Sequence, residues 1–383
     1  MQTMIFDIDL AGHHMEYLHH IYAGALRNKE EKYIFYLPLE FQDKKRLYEW
    51  ESSDNVEFRY FSQQEIHTCT CSNIYLNSWR TSILLKKKVA ETKCDRVLLI
   101  SFVELMLFIV LLLPSKVRVS GIIYRIYLYD WQKMGLLRRL LEWVRYKSAV
   151  GSKCIERLLV LNDSCSVNML NEIYSTDKFR LLADPVPNVD FSRLKNLREE
   201  LNIPANDKIY LHFGGLSRRK GTLDILNAIA ISNIEEMQSR TFVIAGKVYD
   251  EIKPDFQSLL IQARRNTNVL VFDRFCTYEY LYDLCFTADV ILIPYHLTNL
   301  SSGLLGYASL FHKPVIGPSE GLIGQLISSF GLGITISHIC SEELLKAITY
   351  DHYPTVDSSY AENNTTDKFI NTLLDVENKH NTD

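Results

Sequence analysis

Short apolar runs alternate along the chain with longer stretches in which apolar residues recur at helical spacing. The first pattern predicts strands at Thr3–Leu10, Tyr33–Pro38, Val56–Phe61, Arg96–Ser101, Val117–Tyr124 and Arg157–Asn162. Near-continuous apolar strands alternating with amphipathic helices point to parallel sheets covered on both faces. Around residues 184–206 the alternation breaks into "DPVPNVDFSRLKNLREELNIPAN", where three prolines and dense charge read as a linker. A second alternating block follows, with strands at Lys208–Phe213, Thr241–Ala245, Val269–Phe272, Asp289–Pro294 and Pro314–Gly317.

The expected fold is therefore α/β, with two Rossmann-like doubly wound domains and an interdomain cleft. The boundaries read as an N-terminal domain over 1–185, a linker over 186–206, a C-terminal domain over 207–350 and a polar tail over 351–383. The tail, with "PTVDSSYAENNTTD", is expected to be loose before a short final helix. A length of 383 residues agrees with this division, since single cores stop growing near about 250–300 residues.

Two segments test a purely soluble reading. From Val97 to Leu113 run seventeen residues whose only charge is Glu104. A spanning helix needs about 20 apolar residues and tolerates a central carboxylate poorly. The segment is better parsed as a strand, a buried helix over Phe102–Leu113 ended by Pro114, and a strand. Between Trp131 and Lys153, "WQKMGLLRRLLEWVRYKSAVGSK" sets Leu136, Leu137, Leu140, Leu141 and Val144 along one side, with Arg138, Arg139, Arg145 and Lys147 among the polar positions. It reads first as an amphipathic helix covering a sheet, and second as a basic helix making a peripheral membrane contact through 132–153.

Composition narrows the function classes. Charged residues make up 23% of the chain and the formal net charge is −4, so basic surface for a polyanion is lacking and no nucleic-acid partner is expected. The eight cysteines show no C-x-x-C spacing and read as free thiols. The start "MQTMIFDIDL" carries aspartates in its apolar run and reads as a first strand, not as a signal peptide, which favours a cytoplasmic protein, with the inner face of the membrane as its second placement.

Three stretches carry candidate chemistry. In "YLHFGGLSRRKGTLDILNAIAI" a strand meets Gly214 and Gly215, then Arg218, Arg219 and Lys220, then a helix opening after Gly221. Glycines let backbone approach a ligand, and cations beside a helix N-terminus suit an anion. Neither the G-x-G-x-x-G nor the P-loop pattern is present. In "YHLTNLSSGLLGYASLF" a second loop enters a helix at Ser301, Ser302 and Gly303, suited to capping or to phosphate. In "DLAGHHMEYLHHIYAGAL", Gly12, His13 and His14 precede a helix, and His13 or His14 is placed to meet a sugar or an acceptor. His19 and His20 read as packing or surface residues, and the four histidines lack the i, i+4 spacing of a helical zinc site.

The tandem Rossmann-like pattern, "FGGLSRRKG" and the loop-helix-"KPVIG" unit resemble the GT-B glycosyltransferases, particularly the family 4-like enzymes of bacterial surface polysaccharide synthesis. The resemblance implies a retaining transfer of sugar from a nucleoside diphosphate sugar to a glycan or lipid-linked acceptor, with no metal and no cofactor besides the donor. It implies that Lys220 contacts the diphosphate. Two departures stand out: the family's arginine beside the first glycine is Gly215 here, and its glutamate pair falls on Asn299 and Tyr307. "SSG" at 301–303 is similar to a variant subgroup in which a serine-glycine helix mouth takes over the phosphate contacts. The missing glutamates also motivate a different class, a non-catalytic sugar-nucleotide-binding or scaffold protein. A sugar-nucleotide epimerase would need acidic residues near the sugar, and no convincing cluster supports it.

Overall fold

The computed structural model describes residues 1–10, 14–350 and 352–375. They form two compact units: Met1–Ala183 together with the segment from Asp367, and Asp184–Thr366. The first holds the strands β1 (Gln2–Phe6), β2 (Lys32–Pro38), β3 (Val56–Phe61), β4 (Arg96–Leu99), β5 (Arg118–Ile123), β6 (Ile155–Leu161) and β7 (Phe179–Leu182). The second holds β8 (Lys208–Phe213), β9 (Arg240–Ala245), β10 (Asn268–Phe272), β11 (Val290–Leu292), β12 (Val315–Pro318) and β13 (Gly333–Ile336).

Each set makes one all-parallel sheet, ordered β3-β2-β1-β4-β5-β6-β7 and β10-β9-β8-β11-β12-β13. Both orders reverse direction beside the first strand of the unit, between β1 and β4 and between β8 and β11. Loops leaving adjacent strands at such a reversal diverge to opposite faces and open a crevice at the carboxyl ends. In both sheets inner strands such as β2, β8 and β9 are buried along nearly their whole length, which is why they read as continuous apolar runs.

The apolar segment at 96–123 forms β4, a helix over Met106–Leu112 and β5, so the strand-helix-strand parse holds. The helix begins four residues later than expected, because Phe102–Leu105 form a turn closed by the Leu105 amide donating to the Phe102 carbonyl oxygen. No helix among the described residues is long and apolar enough to cross a membrane.

Two expectations need correction. Residues 186–206 are not a free linker: Val186 bridges to Thr365, Leu197 and Ile203 are buried, and the Leu197 amide donates to Thr287 Oγ1. The described part of the tail, residues 352–375, is not loose either. Helices span Ser359–Asn363 and Thr366–Leu374, and the latter buries Phe369, Ile370, Leu373 and Leu374 in the core of the first unit. Gly24 lets this helix approach closely, since a Cβ there would collide with Ile370. Arg157 donates to the carbonyl oxygens of Thr372 and Leu373 at 2.6 and 3.0 Å, capping the helix end.

Candidate functional site

At the reversal of the first sheet, β1 ends at Phe6 and the next residue, Asp7, is buried. Its Oδ2 lies 2.6 Å from Nδ1 of His14, the first residue of the helix His14–Arg27, and its Oδ1 accepts from the Asp9 amide. With Nδ1–H donating to the carboxylate, Nε2 is turned to Ser101 Oγ, 3.4 Å away on the loop after β4. Tyr124, just past β5, stacks on the imidazole at 6.3 Å between ring centres. Loops from β1, β4 and β5 thus converge on His14.

Burial opposes charge on this imidazole, but the hydrogen bond and charge of Asp7 outweigh it and raise the His14 pKa above the ordinary histidine value. Burial raises the Asp7 carboxyl. Gly12 and His13, expected beside His14, lie outside the described residues. His19 accepts from the Trp50 indole and stacks on it, while His20 packs against Phe369 and is pushed down to about 4 by burial; both are packing residues.

At the reversal of the second sheet the chemistry is cationic. After β8 the chain turns through Gly214 and Gly215, forms a short 3₁₀ turn over Arg218–Lys220, and enters the helix Thr222–Ile231 through Gly221. Gly214 and Gly221 have φ of 105° and 69°, conformations that strain any residue with a side chain. A Cβ on Gly214 would stand 2.7 Å from Lys220 Nζ, and one on Gly221 would collide with the Pro294 carbonyl oxygen. The glycines therefore seat the lysine over bare backbone and bring the loops after β8 and β11 together.

Those loops are laced further. The His296 amide donates to the Arg219 carbonyl oxygen at 3.0 Å, His296 Nε2 meets Asp224 Oδ2 at 2.8 Å, and Lys220 Nζ sits 5.3 Å over the Tyr295 ring. Beneath them His212 on β8 bonds the Leu292 carbonyl oxygen through Nδ1 and Thr222 Oγ1 through Nε2, both at 3.0 Å. The carbonyl can only accept, so Nδ1 carries the proton; burial pushes this imidazole down to about 4 and keeps it neutral.

Two of the three cations are uncommitted. Arg218 pairs with Asp255 at 3.0 Å, but among the described residues neither Arg219 nor Lys220 has a carboxylate partner. No side chain caps the helix Thr222–Ile231, whose first amides lie next to them. Arg218, Arg219, Asp224 and His296 also border an open depression of about 630 Å³. The hydroxyl of Tyr295 is buried without a hydrogen-bond partner among the described residues. Such a group usually signals a missing bonding partner.

The second expected mouth is differently committed. Ser301 Oγ donates to Asp184 Oδ2 at 2.6 Å, and Ser302 is buried. Gly303 precedes the helix Leu304–Leu310, which no side chain caps. Asn299 lies in a loop gripped by Gly321, where a Cβ would stand 2.7 Å from Asn299 Oδ1. Tyr307 is packed between Phe213 and Tyr282, with ring centres 5.4 and 5.9 Å away. Sequence reasoning missed Asp7, Asp184, Tyr295 and the Asp224–His296 pair; the signal available for the first was an aspartate ending a buried strand, "IFD". No group of three or more histidine, cysteine or acidic residues suited to a metal occurs among the described residues.

No protein-family model matches the sequence, and no curated protein matches it. Solved structures are similar over the full length. One is WaaG, a glycosyltransferase involved in lipopolysaccharide biosynthesis: TM-score 0.64, 15% identity, 100% of both chains covered. Another is HepE from Anabaena, in complex with UDP and glucose: TM-score 0.66, 14% identity, 99% of both chains. A third is sucrose-phosphate synthase from Thermosynechococcus elongatus: TM-score 0.63, 12% identity, 98% of this chain and 94% of that one. At such identities the likeness establishes architecture, and the chain has the two-domain GT-B fold of these glycosyltransferases.

Proposed function

We propose that the protein is a glycosyltransferase that takes its sugar from a nucleoside diphosphate sugar. The observation that carries this reading is the pair Arg219 and Lys220, without carboxylate partners, beside the uncapped helix at Thr222 and at the strand reversal where α/β sheets bind ligands. The fold supports it: HepE, with the same architecture, was crystallised with UDP and with UDP-glucose.

In this reading Gly214 and Gly215 admit the diphosphate against backbone, and Arg219 and Lys220 neutralise the charge that grows on it as the glycosidic bond breaks. One such preorganised contact is worth about 3 kcal/mol to a transition state. With Ser301 held by Asp184, the backbone of Ser302 and Gly303 is left as that loop's contribution. His14, oriented by Asp7, is the group on the first unit suited to hold a sugar or acceptor hydroxyl. The transfer retains configuration and needs no metal. The acceptor is a glycan or a lipid-linked glycan of a bacterial surface polysaccharide; WaaG, of the same architecture, is involved in lipopolysaccharide biosynthesis.

A thermal-shift series with UDP, GDP, ADP, CMP and their sugar conjugates tests the donor site. A ligand at 100 times its Kd adds about 2.7 kcal/mol of stability. A shift with one diphosphate, followed by release of that diphosphate on turnover, is expected. No shift with any of them would remove the donor reading. A shift without turnover under any acceptor would favour a non-catalytic sugar-nucleotide-binding scaffold, the reading motivated by Asn299 and Tyr307 standing where the family has glutamates.

A further inference from the structure

The helix Leu136–Gly151 is turned opposite to its apolar stripe. Glu142, Tyr146 and Ala149 face inward and are buried, whereas Leu136 and Leu137 are each 83% exposed, Leu140 58% and Trp143 47%. This overturns the expectation of an ordinary sheet-covering helix, in which the leucines would be buried. The inversion is stabilised from within: Arg145 Nη1 binds both oxygens of Glu142 at 2.9 Å, so the inward carboxylate is paired.

The apolar surface continues onto neighbouring elements of the same unit. An open groove of about 460 Å³ runs between this helix, the helix Met106–Leu112 and the start of the helix Ile74–Thr92, with Leu137, Phe108 and Tyr75 in its walls. Leu111 beside it is 71% exposed. Contiguous exposed apolar area of this kind marks an interaction surface.

Charge selects the partner. From Trp131 to Lys153 there are six basic residues against one acidic, Glu142, which is already paired, while the whole chain carries −4. Arg138 lines the groove with no carboxylate partner among the described residues, and Lys147 is exposed. A second copy meeting this face about a two-fold axis would set these cations against one another. An anionic surface with an apolar layer beneath it satisfies both the leucines and the cations.

We propose that this face docks on an anionic phospholipid bilayer, with the helix Leu136–Gly151 lying in the interfacial plane and Leu136, Leu140 and Trp143 buried among the acyl chains. Docking is independent of the transferase reading, because vesicle binding requires neither donor nor turnover. The full chain should sediment with vesicles of equal parts phosphatidylglycerol and phosphatidylcholine, and about tenfold less with phosphatidylcholine alone or in about 1 M salt. Leu136→Glu with Leu140→Glu should lower the partition by about tenfold or more, at unchanged melting temperature. Arg138→Gln with Lys147→Gln, which leaves the apolar face intact, should weaken binding and flatten its salt dependence. The proposal is overturned by absence of sedimentation with anionic vesicles, or by equal binding of the glutamate variant. It is overturned equally by reversible wild-type dimerisation in light scattering that the glutamate variant abolishes, which would make a second copy the occupant.

Discussion

At the reversal of the first sheet stands an acid–imidazole pair, Asp7 with His14; at that of the second stand Arg219 and Lys220, two cations with no carboxylate partner among the described residues, the lysine over glycine backbone. The topology is the same, since in both sheets the order turns beside the first strand of the unit. What differs is which residues follow the strand. An aspartate directly after β1 fixes a ring, whereas two glycines after β8 leave room for cationic side chains and for whatever they bind. One plan thus supplies a proton-bearing group in one unit and, in the proposed reading, an anion-receiving surface in the other.

The comparison breaks most sharply at Gly221. Val at this position would meet the Pro294 carbonyl oxygen and strain a φ of 69°, so Gly221→Val should destabilise the second unit by about 3 kcal/mol and abolish nucleotide binding. Calorimetry of folding and of UDP binding checks both; retained binding would show that the two loops need not touch.

Buried His212 and half-buried His14 should respond to pH with opposite sign. His212, held down to about 4, contributes stability that is present above pH 6.5 and lost as pH falls towards 4, because the unfolded chain takes up the proton first. That loss amounts to about 3 kcal/mol at 1.36 kcal/mol per pH unit. His14, raised by Asp7, contributes stability that is fully present below about pH 6.5 and lost as pH rises through its folded value. Following histidine ring resonances by NMR from pH 4 to 8 should show His212 neutral through most of the range and His14 titrating above the free-imidazole value. Asp7→Asn sharpens the test: the pKa of His14 should fall, since burial is then opposed only by Asp9, and stability at pH 6 should drop by about 2 kcal/mol.

Why the second site was legible and the first only partly so follows from the kind of signal each leaves. Adjacent glycines and a run of three basic residues after an apolar strand declare their chemistry locally, and β8 was placed to the residue at Lys208–Phe213. Asp7 and His14 meet only because the helix folds back over its strand, and the one local hint, an aspartate ending the apolar run "IFD", does not name the imidazole it meets. The two unread strands, β7 and β13, are sheet edges: Phe179–Leu182 exposes its middle residues, and Gly333–Ile336 opens on a glycine, so neither shows an apolar run. Periodicity located the Leu136–Gly151 helix but not its rotation, because a stripe marks a face without saying what that face meets. The last helix was underrated because polar neighbours masked Phe369, Ile370, Leu373 and Leu374, whose spacing is helical.

A smaller effect sharpens the cationic side of the comparison. Lys220→Ala removes a charge that pairs with no carboxylate among the described residues, so the fold should keep its stability while affinity for the nucleoside diphosphate falls by about tenfold, or about 1.4 kcal/mol. Isothermal titration decides it, and unchanged affinity would take the lysine out of the site. Asp7→Asn measured alongside should leave that affinity alone, because its effect is confined to the first unit.

The smallest expected effect is none at all. If Arg219, Lys220 and the helix start at Thr222 neutralise the leaving diphosphate, excess EDTA should leave the rate of sugar transfer unchanged, since no cation need bridge phosphate to carboxylate. Four carboxylates of the second unit are already engaged: Asp184 accepts from Ser301, Asp224 faces His296, Asp255 holds Arg218 and Glu251 accepts from the Arg218 amide. Activity lost in EDTA and restored by Mg²⁺ or Mn²⁺ would mean that one of these leaves its partner to hold a metal–diphosphate. The contrast between a unit built on an acid–imidazole pair and one built on partnerless cations would then give way to carboxylate chemistry at both reversals.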